Sequence, residues 1–249
     1  MCLRLSLSGA VAALDAAAQL LSVDFGAVAG GRPGRPPGTR RAALGRRCHP
    51  VEDRWRRGSD QPERAEALRA VGRLRVKSAA VLQSIVGSLS MSDRSHLVRV
   101  AALEALQRLG VSQRTVGDAV FYRLMDWNDS VVLEAAKLLA RMGAKNDRIA
   151  SALLLKFDDN SESARTVAAR GLALLGLDTR SVVHGLRLRL ETDISMTVRC
   201  EAAVALQSLG QVSEVVLTAL IEFLYIEDAA IRAAAVTALG SLGELQLEK

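Results

Sequence analysis

The segment Val98–Gly110, VRVAALEALQRLG, decides the fold because four further copies of its pattern follow it along the chain. Its fifth residue is alanine and its ninth is leucine in every copy, and each copy ends in glycine. Successive closing glycines are 33 or 34 residues apart, and a fixed period in this range is typical of a stacked repeat array. The alanines are Ala102, Ala135, Ala168, Ala202 and Ala235; the leucines are Leu106, Leu139, Leu172, Leu206 and Leu239; the glycines are Gly110, Gly143, Gly176, Gly210 and Gly243.

Each copy predicts an amphipathic helix, and the residues before it predict a first helix of the same repeat. In the first copy, Val98, Ala102 and Leu106 are four residues apart, so their side chains share one face. Between the copies, apolar residues again recur at every fourth position, and no strand-like alternation interrupts them. The pattern predicts an all-α fold, an α-α superhelix of antiparallel helix pairs. The columns of the first helices are Val116, Val120 and Leu124; Ile149, Leu153 and Phe157; Val182, Leu186 and Leu190; Val216, Leu220 and Leu224.

Two further expectations concern the turns of the repeat. Glycine can adopt the left-handed conformation that stops a helix, so we expect each closing glycine, Gly243 included, to end its second helix. One repeat has 34 residues, and its additional residue follows Leu190. We expect that residue to lie in the turn between the two helices, where an insertion costs little.

The repeat resembles a known family. An aspartate, a Val-Arg pair and an alanine- and leucine-rich helix ending in Leu-Gly are similar to the HEAT repeat, in the short form shared with phycobilin-lyase-like repeats. The resemblance implies a HEAT-type solenoid within residues 58–249. Because the array starts within a repeat and ends without a polar capping helix, we expect a fragment or splice form of a longer array. The expected units are a half repeat at 60–72 and full repeats at about 75–110, 111–143, 144–176, 177–210 and 211–243.

An aspartate and an arginine recur six residues apart in the repeats. Val132 replaces the arginine of one repeat, and Ile226 replaces the aspartate of another. In the resembled family, such side chains pair along the stack as a ladder. We therefore expect these residues to cap turns and to form ion pairs between repeats rather than to bind a ligand. The structural ladder consists of Asp93, Asp126, Asp159, Asp193, Arg99, Arg165, Arg199 and Arg232.

Residues 1–57 are predicted to be low in complexity and disordered. Residues 1–31 are rich in alanine, and residues 32–57 contain four of the five prolines and nine arginines against two acids. Such a composition can bury little apolar surface. From residue 58 onward, 23 basic residues balance 23 acidic ones, so the net charge of +6 belongs to this segment. Weak binding of an anionic partner through the arginines is an alternative function, and nucleic-acid binding by the array is not expected.

The remaining composition favours an intracellular protein. The three cysteines, Cys2, Cys48 and Cys200, are odd in number and lack metal-ligand spacing, which indicates a reduced, cytoplasmic setting. No apolar run is long enough to span a membrane. Asp15 and Asp24 argue against a targeting peptide at the N-terminus.

No pattern typical of catalysis is found, so we predict no catalytic, cofactor-binding or metal-binding residue and no cofactor. His49, His96 and His184 are too far apart in sequence to suggest a metal cluster. The chain also lacks a glycine-rich phosphate loop and a Gly-x-Ser-x-Gly motif. Arg199 could lower the pKa of the neighbouring Cys200 thiol, but an inert, partly buried cysteine is the favoured interpretation.

These observations predict a scaffold that binds another protein through the face formed by its second helices. The alternative function is an accessory subunit of a bilin-lyase-like enzyme. For the basic residues of the first helices, Arg123, Lys156 and Arg189, a solvated outer face is favoured over an anionic groove. The candidate partner-binding residues are Glu104, Arg108, Lys137, Arg141, Arg170, Gln207 and Ser208.

The composition of residues 32–57 makes a direct prediction about proteolysis. We expect brief trypsin digestion to remove this arginine-rich segment and to leave a fragment that begins near Gly58, because array helices protect their backbone. Mass spectrometry of the digest identifies the new N-terminus. A full-length chain that resists trypsin would show that the segment packs on the array.

Overall fold

The computed structural model describes residues 61–90, 95–111 and 114–247, and every regular element within these ranges is helical. This confirms the predicted α-solenoid fold; the expectation for residues 1–57 lies outside the described residues. The chain divides into two compact units, Met1–Leu109 and Gly110–Lys249. Their α-helices are α1 Gln61–Leu74, α2 Ala79–Ser88, α3 His96–Leu109, α4 Arg114–Phe121, α5 Asp129–Arg141, α6 Asp147–Leu155, α7 Glu162–Leu175, α8 Arg180–Thr192, α9 Met196–Ser208, α10 Glu214–Phe223 and α11 Ala229–Leu247.

In the first unit, α1 packs along α3 at close range. Gly72 makes this approach possible, because a Cβ atom at its position would lie 2.9 Å from the Cα of Ala105. The half repeat predicted at 60–72 therefore does not end at its glycine: α1 continues to Leu74, and the left-handed conformation falls on Arg75, with φ of 54°. Here the glycine serves helix packing rather than helix termination.

The second unit consists of four helix pairs, α4 with α5, α6 with α7, α8 with α9 and α10 with α11. Within it, the second helices α5, α7, α9 and α11 pack against one another in that order. Three of these helices begin at a polar N-cap whose side chain accepts a backbone hydrogen bond: Asn128 before α5, Ser161 before α7 and Ser195 before α9.

The core is mainly aliphatic and forms around the alanine column. All five alanines at the fifth position of the repeat have no exposed surface, and neither do Leu106, Leu172 and Leu206. The small side chain lets the second helices approach closely, and the leucines fill the space between each pair. Leu239 is only half-buried, on α11, which packs against α9 and α10.

Four of the five closing glycines have positive φ, between 60° and 72°: Gly110, Gly143, Gly176 and Gly210. The expectation for Gly243 is wrong, since α11 runs through it to Leu247. A glycine inside a helix costs about 1 kcal/mol relative to alanine, and the helix-forming residues that follow Gly243 outweigh that cost.

The additional residue of the 34-residue repeat lies in a helix, so its expected place in a turn is wrong. In the two preceding repeats, the first helix ends in a 3₁₀ turn, at 122–125 and at 156–158. In the 34-residue repeat, α8 remains α-helical to Thr192, directly before Asp193. A 3₁₀ turn uses about 3.0 residues and an α turn about 3.6, so the change of helix type absorbs the insertion.

Burial predicts how the array responds to truncation of its leucines. We expect Leu172→Ala to lower the free energy of unfolding by about 2–5 kcal/mol, because it leaves a cavity in α7 at the centre of the second unit. Leu239→Ala, at a half-buried position, should cost about 1 kcal/mol. Urea denaturation measures both values, and hydrogen exchange should locate the loss in α5, α7 and α9 for the first variant and in α11 for the second. Equal losses in the two variants would contradict this view.

Candidate functional site

A buried ion pair between repeats joins α7 to the turn before α9. Arg165 donates from Nε to Oδ2 of Asp193 at 2.8 Å and from Nη2 to Oδ1 at 2.9 Å. Its Nη1 donates to the carbonyl oxygens of Asp159 and Asn160, at 3.0 and 3.1 Å. Asp193 also accepts a hydrogen bond from the amide of Ser195 at 2.9 Å. Both side chains are buried, so this bidentate pair fixes the register of two neighbouring repeats.

The surroundings of Asp193 shift its pKa in opposing directions. Burial raises the pKa, while the hydrogen bonds from Arg165 and from the Ser195 amide lower it, together with the charges of Arg165 and Arg189. The favourable interactions prevail, and the pKa of Asp193 lies below its ordinary value. The hydrogen bond to Asp193 also raises the pKa of Arg165. The ion pair therefore remains charged at neutral pH.

The sequence pattern is interrupted at Val132 and at Ile226, so the neighbouring ion pairs of the ladder cannot form. Val132 is fully buried where an arginine would face Asp159, and Asp159 instead accepts a hydrogen bond from the amide of Ser161 at 2.8 Å. Arg199 donates from Nε to the carbonyl oxygen of Leu190 at 2.8 Å. Among the residues that the structure describes, neither Asp159 nor Arg199 forms an ion pair.

Two other ladder residues, Arg232 and Asp126, form local hydrogen bonds. Arg232 donates from Nη1 to the carbonyl oxygens of Ile226 and Glu227, at 2.8 and 2.7 Å. Asp126 is fully buried and accepts a hydrogen bond from the amide of Asn128 at 3.0 Å. Arg99 is almost fully buried on α3, and Asp93 lies outside the described residues.

The basic residues of the first helices are not a solvated outer face, so that expectation is wrong. Arg123 is buried, and its Nη1 lies 3.3 Å from Oδ2 of Asp126. Lys156 donates from Nζ to the carbonyl oxygen of Asp126 at 3.2 Å. The Arg189 side chain is 22 % exposed and lies 3.9 Å from Asp193. Their positions at the ends of the first helices direct these long side chains toward the turns.

Four candidate partner-binding residues lie at the surface of the second unit. Arg141, Arg170 and Ser208 are exposed, and Lys137 is half-buried. Lys137 forms an ion pair with Glu134 at 2.7 Å, and Arg170 forms one with Glu201 of the next second helix.

Gln207 does not belong to this surface, so its assignment to the partner-binding face is wrong. Its side chain is buried and donates a hydrogen bond to Oγ of Ser241 at 3.0 Å, which joins α9 to α11. Leu174, in contrast, is 46 % exposed, although it was not among the residues predicted for this face. Its repeat position, equivalent to Arg141 and Ser208, is the signal that could have identified it.

Glu104 and Arg108, the candidate residues of the first unit, belong to a local ion-pair cluster. Glu104 lies 3.1 Å from Nε of Arg69 on α1 and 3.9 Å from Nη1 of Arg108 on α3. Arg108 is exposed, while Glu104 is half-buried between the two arginines. Glu104 therefore links α1 to α3 in addition to being a candidate contact residue.

The surroundings of Cys200 are those of an unreactive thiol. Its Sγ is buried and lies 3.9 Å from the carbonyl oxygen of Ile231. Burial raises its pKa to about 12, and the nearby charge of Glu201 acts in the same direction, while Arg170 lowers it. Within the described ranges, no three His, Cys, Asp or Glu side chains could together hold a metal ion, and no helix is long and apolar enough to cross a membrane.

Comparison with solved structures supports the fold. The complex of CpcE and CpcF of phycocyanin lyase from Nostoc sp. PCC7120 is similar to this chain, with a TM-score of 0.52 and 24 % identity over 75 % of this chain and 74 % of that chain. A designed armadillo repeat protein in complex with a (KR)4 peptide gives a TM-score of 0.43 and 19 % identity, over 74 % of this chain and 95 % of that chain. No protein-family model and no curated protein matches the chain. The first likeness places the chain among helical repeat folds; none of the comparisons supports HEAT repeat-containing protein 4 as its parent array.

The ion pair of Arg165 makes a prediction about stability and pH. We expect Asp193→Asn to lower the free energy of unfolding by about 3 kcal/mol at neutral pH, because it leaves a buried guanidinium without its charged partner. Since the folded-state pKa of Asp193 is lowered, its contribution is complete above the unfolded pKa of about 3.9 and is lost as the pH falls through the folded value. Urea denaturation at pH 7 and pH 3 should therefore give a smaller difference at pH 3.

Asp159→Asn is the matched control for this measurement. It changes the equivalent turn residue, whose hydrogen bond with the Ser161 amide an asparagine oxygen can retain. We expect a change of about 0.5 kcal/mol or less. If the two variants were equally destabilised, the ion pair would not be the source of the effect.

Proposed function

We propose that this chain is a non-catalytic, HEAT-type scaffold of the cytoplasm that binds another protein along the exposed side of its second helices. The binding region, called here the second-helix face, consists of Lys137, Arg141, Arg170, Leu174 and Ser208. The observation that carries the proposal is the repeated exposure of equivalent positions: Arg141 on α5, Leu174 on α7 and Ser208 on α9.

The packing of the helices gives this face its extent. Helix α5 packs on α7, and α7 packs on α9, so their exposed sides follow one another. Packed helices have axes about 8–10 Å apart, and three of them therefore present a surface about 20 Å across before side chains are counted. Solenoid proteins use such extended surfaces, rather than deep pockets, to bind partners.

The chemistry of the second-helix face also suits a protein partner. Glu134 and Glu201 hold the amino group of Lys137 and the guanidinium of Arg170, so these cations are positioned before a partner arrives. Arg141 forms no ion pair within the described part of the chain. The exposed Leu174 adds an apolar contact among the cations. Arginines beside apolar side chains are a common composition of interface centres, and fixed charges favour selective docking.

Two alternative functions remain distinguishable by experiment. The likeness to the phycocyanin lyase complex keeps a bilin-lyase-like accessory role as a second hypothesis, for which a change of tetrapyrrole absorbance on mixing is the direct test. Binding of an anionic partner through the arginines of residues 32–57 would instead show a steep decline of affinity with salt.

Charge reversal tests the second-helix face. After a partner has been captured with the full chain and purified, its affinity is measured by calorimetry for the variant Lys137→Glu, Arg141→Glu, Arg170→Glu. We expect the Kd to rise at least about tenfold, because three contact charges change sign while the core is unchanged.

The matched control is Arg148→Glu, Arg180→Glu, Arg187→Glu, which makes the same charge change at exposed positions of the first helices. We expect the control to alter the Kd less than about twofold. Circular dichroism establishes that both variants are folded. A partner that binds the second-helix variant normally but loses affinity for the control would show that the face has been assigned to the wrong helices.

A further inference from the structure

A cleft of about 400 Å³ opens between two first helices, α8 and α10, and shares no lining residue with the second-helix face. Its floor is apolar, because Leu190 of α8 and Ala219 of α10 are buried beneath it. Val215 and Thr218 of α10 form one wall and are exposed. The cleft therefore offers a small apolar surface that the described residues leave uncovered.

The rim of this cleft is acidic. Glu191 comes from α8, and Glu214 and Glu222 come from α10; all three are exposed, and none forms an ion pair with a described residue. The cationic residue in the lining is Arg199, whose Nε is held by the carbonyl oxygen of Leu190. Three carboxylates against one guanidinium leave the cleft with a net negative charge.

The arrangement of the carboxylates distinguishes between possible occupants. No three acidic, histidine or cysteine side chains in the described ranges are close enough to share a metal ion, so these glutamates stand apart around the opening. A free anion would meet their repulsion. A long cationic side chain fits both properties of the cleft, because its aliphatic stem is apolar and its charge lies at the tip.

We propose that the cleft between α8 and α10 binds a lysine or arginine side chain from a basic segment of a partner polypeptide. The stem lies against Val215 and Ala219, and the cationic group faces the acidic rim. Charge complementarity selects this occupant over an acidic or uncharged segment. The site is separate from the second-helix face, and its existence does not depend on the function proposed for that face.

The test uses the full chain and a fluorescein-labelled decapeptide of alternating arginine and glycine, with binding followed by fluorescence anisotropy. We expect the variant Glu191→Gln, Glu214→Gln, Glu222→Gln to raise the Kd at least about tenfold, since it removes charge without changing side-chain size. The matched control, Asp118→Asn, Asp147→Asn, Glu162→Gln, removes three exposed carboxylates elsewhere and should alter the Kd less than about twofold.

Two further measurements test the cleft itself and the need for a charged occupant. Thr218→Phe, at an exposed wall position, should block the cleft with all carboxylates present and should raise the Kd about fivefold or more. A peptide with citrulline in place of arginine, which has nearly the same shape without the charge, should bind at least about tenfold more weakly. Methyl NMR of the complex should show shifts at Val215 and Ala219.

Any of three results would overturn the proposal. They are a wild-type chain that does not bind the arginine peptide at millimolar concentration, a glutamine variant that binds it as tightly as the wild type, and equal binding of the citrulline peptide. Because none of the substitutions touches the second-helix face, these results leave the function proposed for that face unaffected.

Discussion

The close packing of alanine between consecutive second helices is the constraint on which this structure depends. The alanine column has no exposed surface, and a larger side chain there would separate the helices that carry every other feature. Gly72 extends the same principle, since it admits the backbone of Ala105 directly. Once the second helices are fixed at this spacing, the leucines fill the core, and the exposed positions follow one another at the same interval. The small alanine side chain thus sets the helix spacing on which both the core and the proposed binding face depend.

Much of the fold could be predicted from the sequence, because its repeated pattern reports burial directly. The repeat itself determines the burial of the alanine and leucine columns. It also determines the left-handed conformation of four closing glycines. Gly243 and Gly72 could not be predicted in the same way. A glycine in a helical pattern can stop a helix, remain within it or admit a neighbouring backbone, and the surrounding helices decide between these roles.

The polar side chains were harder to place than the apolar ones. A sequence period locates a backbone position, but a long side chain can reach several partners from it. Arg123 therefore turns toward a carboxylate where the pattern favoured solvent, and Gln207 turns inward to Ser241. Burial of such groups requires a suitable partner within hydrogen-bonding distance, and that partner comes from another part of the repeat or from the next one. The sequence alone therefore predicts the polar residues of the binding face less well than the apolar residues of the core.

The variable ending of the first helices has a consequence for how such arrays tolerate changes in length. In two repeats of 33 residues, the first helix closes in a 3₁₀ turn; in the repeat of 34, α8 closes as an α-helix, and Asp193 still contacts Arg165. The change from a 3₁₀ turn to an α-helical turn thus accommodates the additional residue, and the position of the next helix is preserved. Single-residue insertions and deletions at this place change the pitch of one turn and preserve the phase of the array. In this array, the 34-residue repeat is therefore joined to its 33-residue neighbours without an additional loop.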